Sequence, residues 1–180
     1  MRGYFGIGVE GVSKPGNLGN LFRSAHAFGA SFLFTVAEER RVTLWSDTSE
    51  SERNLPFYRF SGVAEMRLPA GCDLVGVELI DDATDLPAFR HPHAAAYVLG
   101  PEKGSLSPEL VGRCDHLVRI PTAFCVNLAV AGAIVMYDRL RMLGRFVRPV
   151  TSHGGAERPP GHVHGGRFRR RRDGEEAAGS

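Results

Sequence analysis

Three cysteines in 180 residues, Cys72, Cys114 and Cys125, with no CxxC pair among them, support neither a disulfide framework nor a zinc ribbon. Their scarcity fits a reducing, cytoplasmic setting. No apolar run approaches the roughly 18 residues that a membrane span needs, and the opening MRGYFGIGVEG reaches glycine before a signal-peptide core could form. Neither a membrane partner nor secretion is expected. Excess charge is missing as well. The chain has 22 Lys and Arg against 20 Asp and Glu, and the difference falls wholly in residues 151–180. Residues 1–150 hold sixteen of each sign. A neutral body lacks the basic stripe expected of a phosphate-reading surface, so if it binds RNA it does so through placed residues.

Residues 151–180 carry seven glycines and six arginines, with Val163 and Phe168 as their only sizeable apolar side chains. They cannot bury a core. The organisation expected is one domain over 1–150 followed by a disordered Gly/Arg-rich tail over 151–180.

Within the body, short apolar runs alternate with helical patterns. Strands are predicted at Tyr4–Val9, Ser31–Val36, Leu74–Leu79, Ala94–Leu99 and His116–Ile120. Helical spacing is predicted from Gly19 to Phe28, over a short stretch Gly62–Arg67, at Pro108–Arg113 behind a Ser107 cap, and from about Val126 to Leu143. Residues 38–60 read as a long polar connection, and Asp81, Asp82 and Asp85 as an acidic loop. This alternation predicts an α/β domain with a mainly parallel sheet flanked by helices. Ligands of such sheets bind beyond the carboxyl ends of the strands.

Three loops after strands stand out. In Pro15-Gly16-Asn17-Leu18-Gly19-Asn20-Leu21-Phe22-Arg23, a glycine-bearing loop running into a helix can hold an anion on backbone N–H groups, with Arg23 one turn in. A capped helix with a solvated Arg is the plainer alternative. In Leu99-Gly100-Pro101-Glu102-Lys103-Gly104-Ser105-Leu106-Ser107, Gly100 and Gly104 permit close backbone approach to a ligand and Glu102 offers an acceptor. An ordinary strand-to-helix turn reads the same way. In Ile120 to Ala131, Asn127 is a polar residue at an apolar, small-residue helix start, either a loop-fixing group or a site residue. The Ala129, Ala131, Gly132, Ala133 stretch predicts tight helix packing.

Taken in order, N-x-G-x-x-x-R at Asn17–Arg23, L-G-P-E at Leu99–Glu102 with Leu106-Ser107 behind it, and I-P followed by N-L-A-V-A at Asn127–Ala131 resemble the three motifs of the SpoU/TrmH-type RNA 2′-O-ribose methyltransferases, in the SPOUT superfamily. The resemblance covers about residues 4–145. It implies a deep trefoil knot in the C-terminal part of the domain, a homodimer through the knot region, and S-adenosyl-L-methionine as methyl donor. It also implies roles. Arg23 matches the arginine placed on the ribose hydroxyl or its phosphate, Asn17 the asparagine that supports it, and Glu102 and Asn127 the polar residues of the second and third motifs. Gly100, Ile120 and Leu128 fall where the family holds the donor largely through backbone groups. Val77 and Glu78 form a further wall, and Leu99, Gly104 and Cys125 belong to the same donor-holding loops. The chain departs from the family at Lys103 and Ser105, where glycines are common, and at Cys125 and Ala129, where serines are. Those departures leave a non-catalytic RNA-binding or assembly module as the alternative to an enzyme. Family members acting on rRNA often carry an extra N-terminal domain, which favours tRNA as the RNA here.

Other patterns are weaker. Gly6-x-Gly8-x-x-Gly11 matches a dinucleotide fingerprint, but its first glycines fall inside a predicted strand rather than after it and no acid follows near residues 28–32. His91-Pro92-His93 and His162-Val163-His164 are too short to define a metal site, and solvated loop histidines are expected. Cys125 reads as a buried thiol beside a ligand loop. RNA contact is expected from Arg40-Arg41, from Arg139, Arg141, Arg145 and Arg148, or from the tail's Arg167 and Arg169 to Arg172, with a solvated helix face and a solubilising tail as the competing readings.

Overall fold

The structure, a computed structural model, describes residues 3–11, 15–38, 55–101 and 104–144. Seven strands form one sheet in the order β3-β2-β1-β6-β4-β7-β5, and every adjacent pair is parallel. They are β1 Tyr4–Glu10, β2 Phe32–Val36, β3 Phe57–Phe60, β4 Asp73–Val77, β5 Thr84–Asp85, β6 Ala94–Leu99 and β7 His116–Arg119. Among the described residues three α-helices cover them: α1 Pro15–Phe28, α2 Pro108–Arg113 and α3 Leu128–Leu143.

The central strands are apolar on both faces, as a parallel sheet between helices requires. One face carries Ile7, Val9, Leu33, Val75, Tyr97, Leu99 and Val118 against α1 and α3. The other carries Phe34, Val36, Leu74, Ala96 and Val98 against Val63, Met66, Leu106 and Leu110. On β1 this second face is Gly6 and Gly8, because the rings of Phe32 and Phe34 occupy the space their side chains would need. The first two fingerprint-like glycines are thus strand glycines, as their position within the first apolar run suggests, while Gly11 follows the strand with φ 62°. Gly8→Ala would drive a methyl against the Phe34 carbonyl oxygen, which is backbone and cannot rotate aside. A loss of about 1–3 kcal/mol in denaturant unfolding is expected.

Four expectations change. Helix α1 begins at Pro15, four residues before Gly19, because proline's fixed φ and missing N–H suit a first helical turn. Gly62–Arg67 is a set of turns. Its Val63 and Met66 carbonyls accept from the Arg113 guanidinium, Arg67 caps Ala64 and Met66, and Pro69 disfavours helical backbone just beyond. The polar connection contains β3, an aromatic Phe57-Tyr58-Arg59-Phe60 edge strand, and the acidic loop contains the two-residue β5.

The amino ends of β1 and β6 enclose a buried polar network. Arg139, 2 % exposed, donates to the backbone oxygens of Tyr4, Pro92 and His93 and to the Tyr97 hydroxyl. His91 is buried rather than solvated. Its Nδ1 lies 2.6 Å from the Tyr97 hydroxyl and its Nε2 3.2 Å from Asp138. Burial holds the His91 pKa below 6.5 despite the Asp138 carboxylate, with Arg139 adding in the same direction, and burial pushes the Tyr97 phenol up to about 12. As pH falls the unfolded chain binds the histidine proton first. His91 therefore contributes stability that is whole above about pH 6.5 and lost as the solution is acidified through the lowered value. The thermal midpoint should fall between about pH 7 and pH 5.5, and His91→Gln, which takes up no proton, should flatten that slope.

Candidate functional site

A cavity of about 350 Å³ opens beyond the carboxyl ends of β4, β6 and β7, of the size that takes a small-molecule ligand. Four segments build it, the first turn of α1 giving Asn17. The end of β4 and the residues after it give Val77, Glu78 and Leu79; the β6–α2 loop gives Leu99, Gly100, Pro101 and Gly104; the β7–α3 loop and the start of α3 give Ile120, Thr122, Cys125, Val126, Asn127, Leu128 and Ala131. All eight residues expected at a donor site, Val77, Glu78, Leu99, Gly100, Gly104, Ile120, Cys125 and Leu128, line this one cavity.

Local sequence explains the walls. Val77 and Leu99 are register partners at adjacent strand ends and face the same way. Asn127 is the N-cap of α3: its side-chain oxygen accepts from Ala129 N at 2.9 Å, and its Nδ2 donates to Asn17 Oδ1 at 3.2 Å. That bond ties the first turn of α1 to the first turn of α3 at the cavity edge. It is exposed rather than buried, since a cap must sit at the helix end. Below it the small residues let the helices close, and a Cβ on Gly132 would overlap Leu21 of α1.

Arg23 is not part of the lining. With α1 starting at Pro15 it falls in the third turn, not the first, so it does not close an anion-binding loop at the helix start. It is exposed and makes no hydrogen bond or ion pair with another described residue. Glu102 and Lys103 lie outside the described residues, as do Arg40, Arg41, Arg145, Arg148 and the tail. Cys125 is exposed, not buried, in a loop where Thr122 Oγ1 bridges the carbonyls of Ile120 and Phe124 and holds Phe124 78 % exposed. Arg139 is excluded from any substrate surface by its burial, and Arg141 pairs with Asp138 at 2.9 Å. Pro101, Thr122, Val126 and Ala131 line the cavity without having been expected at the site, although each falls inside a motif segment. Leu79 has no local signal beyond following Glu78.

The sequence model of the SpoU rRNA Methylase family matches residues 5–137. The chain belongs to that family. Its SpoU relatives include the tRNA (guanosine(18)-2′-O)-methyltransferase TARBP1 of Mus musculus, 28 % identical over 145 residues that make up 74 % of this chain and 9 % of that one. An uncharacterized tRNA/rRNA methyltransferase of Synechocystis is 32 % identical over 157 residues, 81 % of this chain and 40 % of that one. The chain thus spans less than half the length of either relative. Among solved structures, an AdoMet-bound rRNA methyltransferase from Sinorhizobium meliloti superposes with a TM-score of 0.71 at 27 % identity, covering 79 % of this chain and 58 % of that one. The SpoU methyltransferase AviRb from Streptomyces viridochromogenes in complex with AdoMet gives 0.70 at 27 % identity, covering 78 % and 58 %.

The cavity of this SpoU chain offers both apolar side chains and backbone-accessible glycine positions to a small-molecule ligand. Val77, Leu99, Ile120, Leu128 and Ala131 give apolar walls, and Gly100 leaves open a space where a Cβ would come 2.8 Å from Glu78 Oε2. Among the described residues no group of three or more His, Cys, Asp or Glu could hold a metal ion.

Proposed function

We propose that this chain transfers a methyl group from S-adenosyl-L-methionine to a ribose 2′-hydroxyl of RNA, with tRNA as the favoured substrate. The observation that carries the reading is the convergence of the second and third motif loops on one cavity at the carboxyl edge of a SpoU sheet. The bound donor supplies a methyl on a sulfonium, so the protein's work is alignment and charge stabilisation. The apolar walls exclude water from the donor, and Gly100 and Gly104 admit backbone groups close to it. The Asn17–Asn127 bond fixes α1 relative to the cavity mouth. Arg23 stabilises charge on the attacking oxygen or anchors the neighbouring phosphate; a guanidinium is a poor proton acceptor, so its part is electrostatic. Glu102 joins the polar set by its motif position.

The same proposal includes the trefoil knot, a catalytic domain over 1–150 with the tail outside it, and a homodimer. Support for the homodimer comes from an apolar groove between α1 and α3, where Phe28, Val130, Ile134 and Tyr137 line a surface continuous with Asn127. The preference for tRNA rests on the mouse relative's stated substrate. The test is calorimetry of the purified chain with S-adenosyl-L-methionine, joined to mass-spectrometric mapping of ribose methylation in total RNA from a strain lacking the gene. Loss of one 2′-O-methyl nucleotide from tRNA is expected. Loss from rRNA would overturn the substrate, and no donor binding with no lost methylation would favour the non-catalytic module.

A further inference from the structure

Strands β1, β6 and β4 lie side by side, with Val9 paired to Leu99 and Leu99 to Val77. These three side chains pack toward α1 and α3. Strand alternation sends the next residue of each toward the opposite face, where α2 begins. That next row is Glu10, Gly100 and Glu78. Beyond Gly100 the chain lines the cavity at Pro101 and Gly104, and Leu106 and Ser107 come back to the row.

Both carboxylates meet the returning chain. Glu78 Oε2 accepts from Leu106 N at 2.8 Å, while its Oε1 accepts from Leu79 N at 3.0 Å. Glu10 Oε2 accepts from Ser107 N at 2.7 Å and its Oε1 from Ser107 Oγ at 2.6 Å. The same hydroxyl accepts from Leu110 N and caps α2. Gly100 lies between the two, and a Cβ there would come 2.8 Å from Glu78 Oε2 and 3.2 Å from Leu106 N. Any side chain at 100 would press into the carboxylate–amide bond.

We propose that Glu10 and Glu78 are positioning residues of the donor site, a carboxylate pair from two strands that fastens the β6–α2 loop by two consecutive backbone N–H groups. The assignment rests on the reading of the cavity as the donor site. Glu10 is 6 % exposed and does not line the cavity, so it acts on a ligand only through the loop. Burying a carboxylate costs free energy unless it is fully hydrogen-bonded, and an apolar residue at the end of β1 would serve packing alone. What the carboxylate adds is a fixed address for residues 106 and 107. Gly100, Pro101 and Gly104, which line the cavity between the anchor points, inherit that address.

Three measurements on the full chain test this. Without ligand, Glu10→Ala should raise amide hydrogen exchange across residues 104–110 while β1 and β6 stay protected, which reports loop release in a folded protein. In calorimetry with S-adenosyl-L-methionine the same variant should bind about tenfold more weakly, the cost of one charge-assisted hydrogen bond. Glu10→Gln, which keeps an acceptor for Ser107 N, should recover most of that loss. Ser107→Ala, which removes the hydroxyl that Glu10 Oε1 accepts from, provides the same readouts at a less buried position if Glu10→Ala does not fold. Donor affinity unchanged in a variant whose loop exchange has risen overturns the assignment alone. A parent chain that binds no donor overturns the reading of the cavity and the assignment with it.

Discussion

Arg23→Ala is expected to slow methyl transfer by about 10²–10³ while leaving donor affinity where it was. The split follows from position. The cavity is closed by Asn17 at the start of α1 and by residues of β4, the β6–α2 loop and the β7–α3 loop, and Arg23 is not among them. Instead it projects from the third turn of α1, exposed, without a charged partner among the described residues. A side chain so placed has no packing to lose. Removing a group that stabilises charge only as the reaction proceeds costs about 10²–10³ in rate. Arg23→Lys should recover part of the rate, because lysine keeps the charge but not the two-pronged donor geometry. Single-turnover methylation of substrate RNA, with donor titration by calorimetry, separates the two effects. Retained methylation in Arg23→Ala would remove the residue from the mechanism; a parallel loss of donor affinity would move it into the cavity.

The eight expected cavity residues were legible through the likeness of their motifs to a known family; they sit at strand ends, in the loops that follow and at a helix start, positions that a parallel sheet collects along one edge. Val77, Leu99 and Ile120 belong to three different strand ends, yet strand order alone suffices to bring β4, β6 and β7 together. Glu10 was not legible. It reads as the last residue of an apolar run, and its partner Ser107 is 97 residues away; only the register of β1 on β6 places them together. The short elements failed for the opposite reason. Gly62–Arg67 has helical composition, but six residues form too few internal bonds to hold a helix, and Arg113 took its carbonyls. Strand β5 exists through its pairing with β7, which no local pattern in Thr84-Asp85 records. Cys125 and His91 show the limit of residue type as a guide to burial. A thiol was expected inside and an imidazole outside, and the loop geometry at Phe124 and the polar pocket under β6 reversed both.

Two arginines on α3 lead to the second large effect, on stability. Arg139 and Arg141 lie two positions apart and read alike in the sequence, as basic residues on a helix. A helix turns about 100° per residue, so two positions carry the side chains to opposite sides. Arg141 faces solvent and pairs with Asp138, an interaction worth less than about 1 kcal/mol. Arg139 turns inward beneath Phe5 and Tyr97, its Cζ 5.3 Å and 5.8 Å from their rings, and serves four acceptors on β1, the loop before β6, and β6 itself. Arg139→Met keeps much of the apolar stem and removes the donors. The partly buried Tyr4, Pro92 and His93 carbonyls and the Tyr97 hydroxyl then lose a donor, a loss of about 2–4 kcal/mol at roughly one per bond. For a domain of this size that lowers the thermal midpoint by about 10 °C. Arg141→Ala should move it by no more than a degree or two. Arg139→Lys should fall near Arg139→Met, because one ammonium cannot span acceptors on separate strands. Equal midpoints for Arg139→Met and Arg141→Ala would show that the network contributes nothing. The expected gap would place Arg139 in the scaffold and leave RNA contact to residues that reach solvent, Arg23 among them.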